Sequence, residues 1–157
     1  MADRSRQARV VALDRLWPGD AASRSGDLLN VVFGWGDLTR LRRVVADRCT
    51  AAGLTGSRQE DFILAVHEIA ANAIMHGGSW GRLILRRTPN GLRCLIADRA
   101  LQAGDPAPAR VPDAGTAPAP DDAESGRGLW LAAQLVDELG ITSGPGTTIV
   151  SLYMRFD

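Results

Sequence analysis

The chain carries polar side chains at one-turn intervals within an otherwise apolar segment. In residues 67–77, Glu68, Asn72 and His76 follow one another four positions apart. A helix turns by about 100° per residue, so these three side chains advance by only about 40° per step and form one narrow stripe. The amide oxygen of Asn72 suits Mg²⁺, and a carboxylate such as Glu68 can take a proton from a hydroxyl group. An ordinary amphipathic helix with a solvated face would show the same stripe, so both interpretations stay open.

Polar residues also stand at the ends of two predicted strands. Asp98 follows the apolar run 92–97, and Thr147 and Thr148 begin the apolar run 147–156. A lone acid after a strand is commonly a turn former, and the threonines fit a plain turn into a strand. The alternative for Asp98 is an acceptor for an exocyclic amine such as that of adenine, with either threonine near the pocket floor.

A third candidate is the run Gly126, Arg127, Gly128 and Leu129, at the predicted start of a helix. Glycines allow a phosphate to approach the backbone, and a helix N-terminus offers free N–H groups. Arg127 can add a charge-assisted hydrogen bond to a phosphate oxygen. A plain helix start would contain the same residues.

These candidates must be positioned by alternating strands and helices. The first half of the chain predicts a strand over 28–35, a helix from Asp37 to Gly53 and a helix from Ser57 to 77–78. Two strands over 80–87 and 92–97 follow, joined by a turn at 89–91. The last predicted elements are a helix over 128–139 ended by Gly140, a turn over 143–146 and a strand over 147–156. This order predicts an α+β fold, a two-layer α/β sandwich with helices on one face of a mixed, largely antiparallel sheet.

The length of 157 residues fits one domain, which we place at 29–157 after an N-terminal arm over 1–28. Residues from about 100 to 125 hold five of the eight prolines and show no periodicity. So long a stretch within a small domain is typical of a functional lid or a disordered segment.

Composition excludes several classes of protein. Eighteen basic residues balance eighteen acidic ones, which argues against direct nucleic-acid binding. The cluster Arg40, Arg42 and Arg43 is interpreted as a solvated helix face. Cys49 and Cys94 fit neither a disulfide framework nor a metal site and are predicted to be small core residues. No apolar run reaches the length of a membrane span and no secretory signal is seen, so a cytoplasmic protein is expected.

In order and spacing, the candidate segments resemble the histidine-kinase-like ATPase (GHKL) superfamily, and more narrowly its bacterial anti-sigma branch of serine-kinase regulators. Residues 67–77 resemble the N-box, and Asp98 stands where the family's adenine-reading aspartate belongs. Residues 126–129 resemble the second glycine box, and 146–148 the late Gly-Thr motif. The resemblance covers about 30–156 and implies a Bergerat-type ATP-binding fold.

The resemblance also implies cofactors, partners and roles. ATP and Mg²⁺ would be the cofactors, Glu68 the general base toward a serine hydroxyl and Asn72 the metal ligand. The partners would be a sigma factor and an anti-sigma antagonist that carries the serine. Relatives in this branch commonly form homodimers, and the sequence leaves the oligomeric state of this chain open. The implied nucleotide-binding residues are Asn72, His76, Asp98, Ala100, Gly126, Arg127, Gly128, Leu129, Thr147 and Thr148.

One segment departs from the family pattern. The first glycine box usually reads Asp-x-Gly-x-Gly, whereas here Ala100 and Gln102 stand in place of both glycines. Their loss favours a non-catalytic protein-binding module with a degenerate nucleotide pocket. Intact Glu68 and Asn72 favour the kinase, because a pure scaffold has no chemical need for either side chain.

Overall fold

The computed structural model describes residues 27–77, 80–98, 125–144 and 147–157. Nearly all of the predicted arm (1–28) and lid (about 100–125) lie outside the described residues, and so does Ala100. Within the described ranges, no helix combines the length and apolar character needed to cross a bilayer.

Five strands, three α-helices and a short 3-10 turn make up the described part of the chain. In chain order they are β1 (Asp27–Gly34), the 3-10 turn (Trp35–Asp37), α1 (Leu38–Ala52), α2 (Gly56–Gly77), β2 (Trp80–Thr88), β3 (Gly91–Asp98), α3 (Ser125–Leu135), β4 (Glu138–Gly144) and β5 (Thr147–Arg155).

The strands form one sheet in the order β1-β2-β3-β5-β4, and all four pairings are antiparallel. The helices cover one face, where their apolar side chains meet alternate residues of the strands. Phe62 and Ile69 of α2 are fully buried there, as are Leu83, Ile96 and Leu152 of the sheet. Each such side chain contributes about 1.5–3 kcal/mol by burial. The predicted two-layer sandwich is therefore confirmed.

The third helix begins three residues and ends four residues earlier than predicted. The sequence pattern predicts a helix over 128–139, but α3 ends at Leu135 and residues 138–144 form β4. Asp137 explains the break, since its amide donates to the carbonyl oxygen of Tyr153 at 3.0 Å instead of continuing the helix. Val136 and Leu139 are buried and mimic helical spacing, whereas the following Ile141 is β-branched and suits a strand. Pairing with β5 decides between the two.

The start of the chain's first two helices agrees with the sequence to within a residue. Gly53 has φ of 101° and ends α1 in the left-handed conformation, as predicted. The second helix begins at Gly56, one position before the predicted Ser57. On α1, Arg40, Arg42 and Arg43 are exposed, which confirms the solvated helix face.

The two cysteines are free and buried, as predicted. Burial raises the pKa of the Cys49 thiol to about 12 and holds the pKa of Cys94 well above its ordinary value. Since the thiolate is the reactive form, both side chains act as small apolar residues of the core.

The beginning of α2 is fixed by a buried ion pair to the residue before β4, and by a hydrogen bond to the end of β5. The Arg58 Nη2 atom lies 2.5 Å from Asp137 Oδ2, and Arg58 Nε donates to the Arg155 carbonyl oxygen at 3.0 Å. The Arg155 amide in turn donates to Asp137 Oδ2 at 2.8 Å. The side chains of Arg58 and Asp137 are only 12% and 7% exposed.

We predict that Arg58→Ala lowers the free energy of unfolding by about 3 kcal/mol, because it leaves a buried carboxylate without its main counter-charge. Arg155→Ala is the matched control. Its side chain is 67% exposed and lies 3.8 Å from the same carboxylate, so its loss should cost less than about 1 kcal/mol. Urea unfolding of both variants checks this, and equal losses would contradict the assigned role of Arg58.

Candidate functional site

Two of the three polar residues of the α2 stripe do not face open solvent. Glu68 and Asn72 are both half-buried. His76 lies one turn after Asn72, in the last turn of α2. A plain solvated stripe would be exposed, so this burial favours the functional interpretation that the sequence left open.

Asn72 lies directly against the backbone at the start of α3. A Cβ atom built on Gly128 would stand 2.7 Å from Asn72 Nδ2 and 3.1 Å from Asn72 Oδ1. Gly128 is itself buried, so a larger residue there would have to displace the Asn72 amide. The structure thus joins two sequence motifs, the N-box-like helix and the second glycine box, through one contact.

Asp98 and Thr148 form a second pair, between the end of β3 and the beginning of β5. The Thr148 amide donates to Asp98 Oδ1 at 2.8 Å. Burial raises the pKa of Asp98 above its ordinary value of 3.8, and the hydrogen bond from Thr148 offsets part of that effect. A carboxylate has about four acceptor positions, so this one bond orients the group and leaves it able to accept from another donor.

Both pairs lie at the same end of the domain. The Arg58 ion pair holds the start of α2 beside Arg155, which pairs with Gly91 at the first residue of β3. Asn72 follows Arg58 by fourteen residues, or about 21 Å along a helix. It therefore lies toward the other end of β3, where Asp98 stands.

Asp98 lies on the face of the sheet that the helices cover. Along β3, Leu92, Cys94 and Ile96 belong to the core beneath the helices. Side chains alternate along a strand, so Asp98 points to that same face. The pairing partner of Asp98 is Gly81 of β2.

Gly81 was missed by the sequence reasoning. A Cβ atom there would lie 2.8 Å from Phe33 Cζ and 3.0 Å from the Ala97 carbonyl oxygen. Glycine thus lets β1, β2 and β3 pack closely beside Asp98. A glycine inside a predicted strand is the signal that could have revealed it.

The remaining candidates take different places. Arg127 is exposed in the first turn of α3, whereas Leu129 is 4% exposed and belongs to the core. Gly126 lies in the first turn of α3, and Thr147 is the first residue of β5. Leu129 therefore packs in the core between the two layers. Its contact with a nucleotide, which the family resemblance implies, stays a prediction.

We predict that Gly128→Ala displaces the Asn72 amide, because the new methyl group would overlap it. The fold should persist with a loss of about 1–3 kcal/mol in the free energy of unfolding. The side-chain amide resonances of Asn72 should shift. Gly36→Ala is the matched control, since a Cβ atom there meets nothing within 4 Å. Unchanged Asn72 resonances in the Gly128 variant would refute the contact.

A second prediction concerns pH. Between the ordinary pKa of an aspartate and the raised pKa of Asp98, the native state binds more protons than the unfolded chain. The contribution of Asp98 to the free energy of unfolding therefore falls as pH rises through that window. Asp98→Asn should become progressively more stable relative to wild type over the same window.

Urea unfolding from about pH 3.5 upward measures this difference. Asp47→Asn, at an exposed position on α1, shows what loss of an ordinary surface carboxylate does. A difference between wild type and Asp98→Asn that does not change with pH would show that Asp98 is not desolvated.

The comparison with known families agrees with this geometry. The family model described as histidine kinase-like ATPase domain matches residues 36–154. That range contains both the Asn72–Gly128 and the Asp98–Thr148 pairs. A search of curated proteins finds no match. Because the matched range covers most of the 157 residues, the chain belongs to the histidine kinase-like ATPase domain family.

Proposed function

We propose that this chain binds ATP with Mg²⁺ and transfers the terminal phosphoryl group to a serine of an anti-sigma antagonist, so that it switches between that partner and a sigma factor. The observation that carries the proposal is the contact of Asn72 with Gly128, at the end of the domain where Asp98 stands. Family membership supports the ATP part of the proposal. The order of motifs supports the anti-sigma part.

Asp98 fits the recognition of adenine. Its carboxylate is oriented by the Thr148 amide and has further acceptor capacity for the exocyclic amine. Because this group is desolvated, leaving it without a donor is costly. A base that offers a carbonyl oxygen at that place, as guanine does, should therefore bind less well.

Asn72 fits the role of metal ligand. Within the described ranges, no three His, Cys, Asp or Glu side chains are grouped as a metal site. The Asn72 oxygen would therefore share the ion with phosphate oxygens and water, a common arrangement for Mg²⁺. The start of α3 at 125–128, with buried Gly128, would receive the phosphates through backbone N–H groups.

Glu68 fits the role of general base. It lies one turn before Asn72 on the same stripe and is half-buried. Its carboxylate would accept the proton of the serine hydroxyl as that oxygen attacks. Bound Mg-ATP would supply the phosphoryl group and part of the charge neutralisation, so the main work of the chain is positioning.

Another function, a non-catalytic binding module with a degenerate pocket, is favoured by Ala100 and Gln102 in place of the first-box glycines. Calorimetric titration with ATP, with and without Mg²⁺, separates the two. Binding strengthened by Mg²⁺ supports the kinase. No detectable heat at high protein concentration rules against it and directs the search to a partner bound without nucleotide.

We predict that variants of Glu68 and Asn72 lose different steps, phosphoryl transfer in the first and Mg²⁺-dependent ATP binding in the second. Glu68→Ala should reduce phosphoryl transfer from labelled ATP to the serine partner by about 10²–10⁴-fold while ATP binding persists. Asn72→Ala should abolish the gain in affinity that Mg²⁺ brings. Glu60→Ala, at an exposed position of α2, is the control. Phosphoryl transfer at the normal rate by the Glu68 variant would contradict the general-base role. An unchanged gain in ATP affinity on adding Mg²⁺ to the Asn72 variant would contradict the metal-ligand role.

A further inference from the structure

A groove lies between the edge strand β1 and helix α1, on strands and helices that the proposed nucleotide site does not use. It encloses about 200 Å³ and is lined by Val31, Val32 and Phe33 of β1, by Asp37 of the 3-10 turn, and by Arg40, Leu41 and Val44 of α1. We call it the β1–α1 groove. Three consecutive strand residues line it, so the backbone of β1 forms one of its walls.

The backbone along this wall is able to pair with another strand. In the part of the chain that the structure describes, β2 is the single neighbour of β1. The Gly34 amide donates to Asp37 Oδ2 at 2.9 Å and so points away from β2. Because an antiparallel ladder alternates, the N–H and C=O groups of Val32 also point to the free edge.

The residues of β1 do little to protect that edge. Natural edge strands are commonly blunted by lysine, proline or inward-pointing charges. Residues 28–34 of β1 contain none of these. Val32 is 60% exposed and the following Trp35 56% exposed. An exposed apolar edge beside an apolar groove is a surface that an extended chain can cover.

The helix beside the groove is positively charged. Arg40 lines the groove with a 74% exposed side chain and forms an ion pair with Asp37 at 2.5 Å. Arg42, Arg43 and Arg48 are exposed on the same helix. Residues 37–52 thus contain four arginines and only two acidic residues, Asp37 and Asp47. On the other face of the sheet, Arg82 is the cross-strand partner of Val32.

We propose that the β1–α1 groove binds an extended, acidic segment of a partner protein, with apolar side chains at alternate positions, as a sixth strand next to β1. The apolar side chains would enter the groove against Val31, Leu41 and Val44. The alternate side chains would lie on the opposite face of the sheet, beside Arg82, while the net positive charge of α1 would attract the acidic segment as a whole. Edge pairing supplies affinity and the groove supplies specificity.

Charge argues against two other occupants. A second copy paired through β1 would place two arginine-bearing α1 helices on the same face of one sheet, where they repel. Residues 1–26 of the chain itself hold five arginines against three aspartates, so they do not complement α1. The inference is independent of nucleotide binding, since none of these residues belongs to the proposed ATP site.

The test uses the full chain without nucleotide and a fluorescein-labelled peptide of alternating glutamate and valine. We expect saturable binding with a Kd below about 1 mM in anisotropy titrations, together with slower hydrogen exchange of the Val32 amide. The control peptides are an alternating lysine and valine peptide and the glutamate peptide with alternate amides N-methylated. Neither should bind, because one has the wrong charge and the other lacks edge donors.

Variants of the chain locate the site. Val32→Pro removes the edge donor without touching the ladder to β2 and should weaken binding by about tenfold. Arg40→Glu should also weaken it, whereas Arg48→Glu, which does not line the groove, should have a much smaller effect. Thermal melts confirm that each variant is folded. The proposal is overturned by no saturable binding, by equal binding of either control peptide, or by a Val32→Pro variant that binds normally.

Self-pairing is distinguished by sedimentation. A dimer that forms with increasing concentration and dissociates in Val32→Pro would show that a second copy occupies the edge, and would overturn the partner assignment. A sedimentation profile that is the same for wild type and Val32→Pro supports it.

Discussion

Helix α2 is held at both of its ends, and the placement of the site depends on this restraint. At its beginning, the Arg58–Asp137 ion pair joins it to the residue before β4, and the bond to the Arg155 carbonyl joins it to the end of β5. Near its other end, the Asn72 amide rests against Gly128 of α3. With both ends fixed, Glu68 can neither rotate into the core nor slide along the sheet. Preorganisation of this kind is what phosphoryl transfer mainly requires of a protein.

Close approach explains why two glycines stand where they do. At Gly128 an added methyl group would strike the Asn72 amide, and at Gly81 it would strike Phe33 and the Ala97 carbonyl oxygen. The first position joins the two helices of the site, and the second tightens the sheet beside Asp98. At neither position does the backbone conformation itself call for glycine. A substitution would therefore displace the neighbouring groups and would not strain the local backbone.

Sequence patterns predicted the layers well because burial imposes clear periods on α1, α2 and the strands. They failed at the start of β4, because the spacing of Val136 and Leu139 also fits a helix. The strand is revealed only by contacts with β5, such as the hydrogen bond from the Asp137 amide to the Tyr153 carbonyl oxygen. For the site, spacing along α2 put Glu68 and Asn72 on one stripe, and motif order implied Asp98. Spacing could not reveal the Asn72–Gly128 contact, the Thr148 amide on Asp98 or the core position of Leu129, because each arises between elements distant in sequence.

The hydrogen bond between Asp98 and Thr148 also bears on how the chain folds. Strands β2 and β3 are neighbours along the chain, as are β4 and β5, so each pair can form as a local hairpin. The bond between Asp98 and Thr148 closes a separation of 50 residues, and joining the hairpins costs the entropy of that loop. Non-local pairing of this type forms slowly. The Asp98 carboxylate, which we propose reads adenine, is therefore set in place only when the two halves of the sheet have met. A nascent or half-folded chain then has a β3 strand but no finished site.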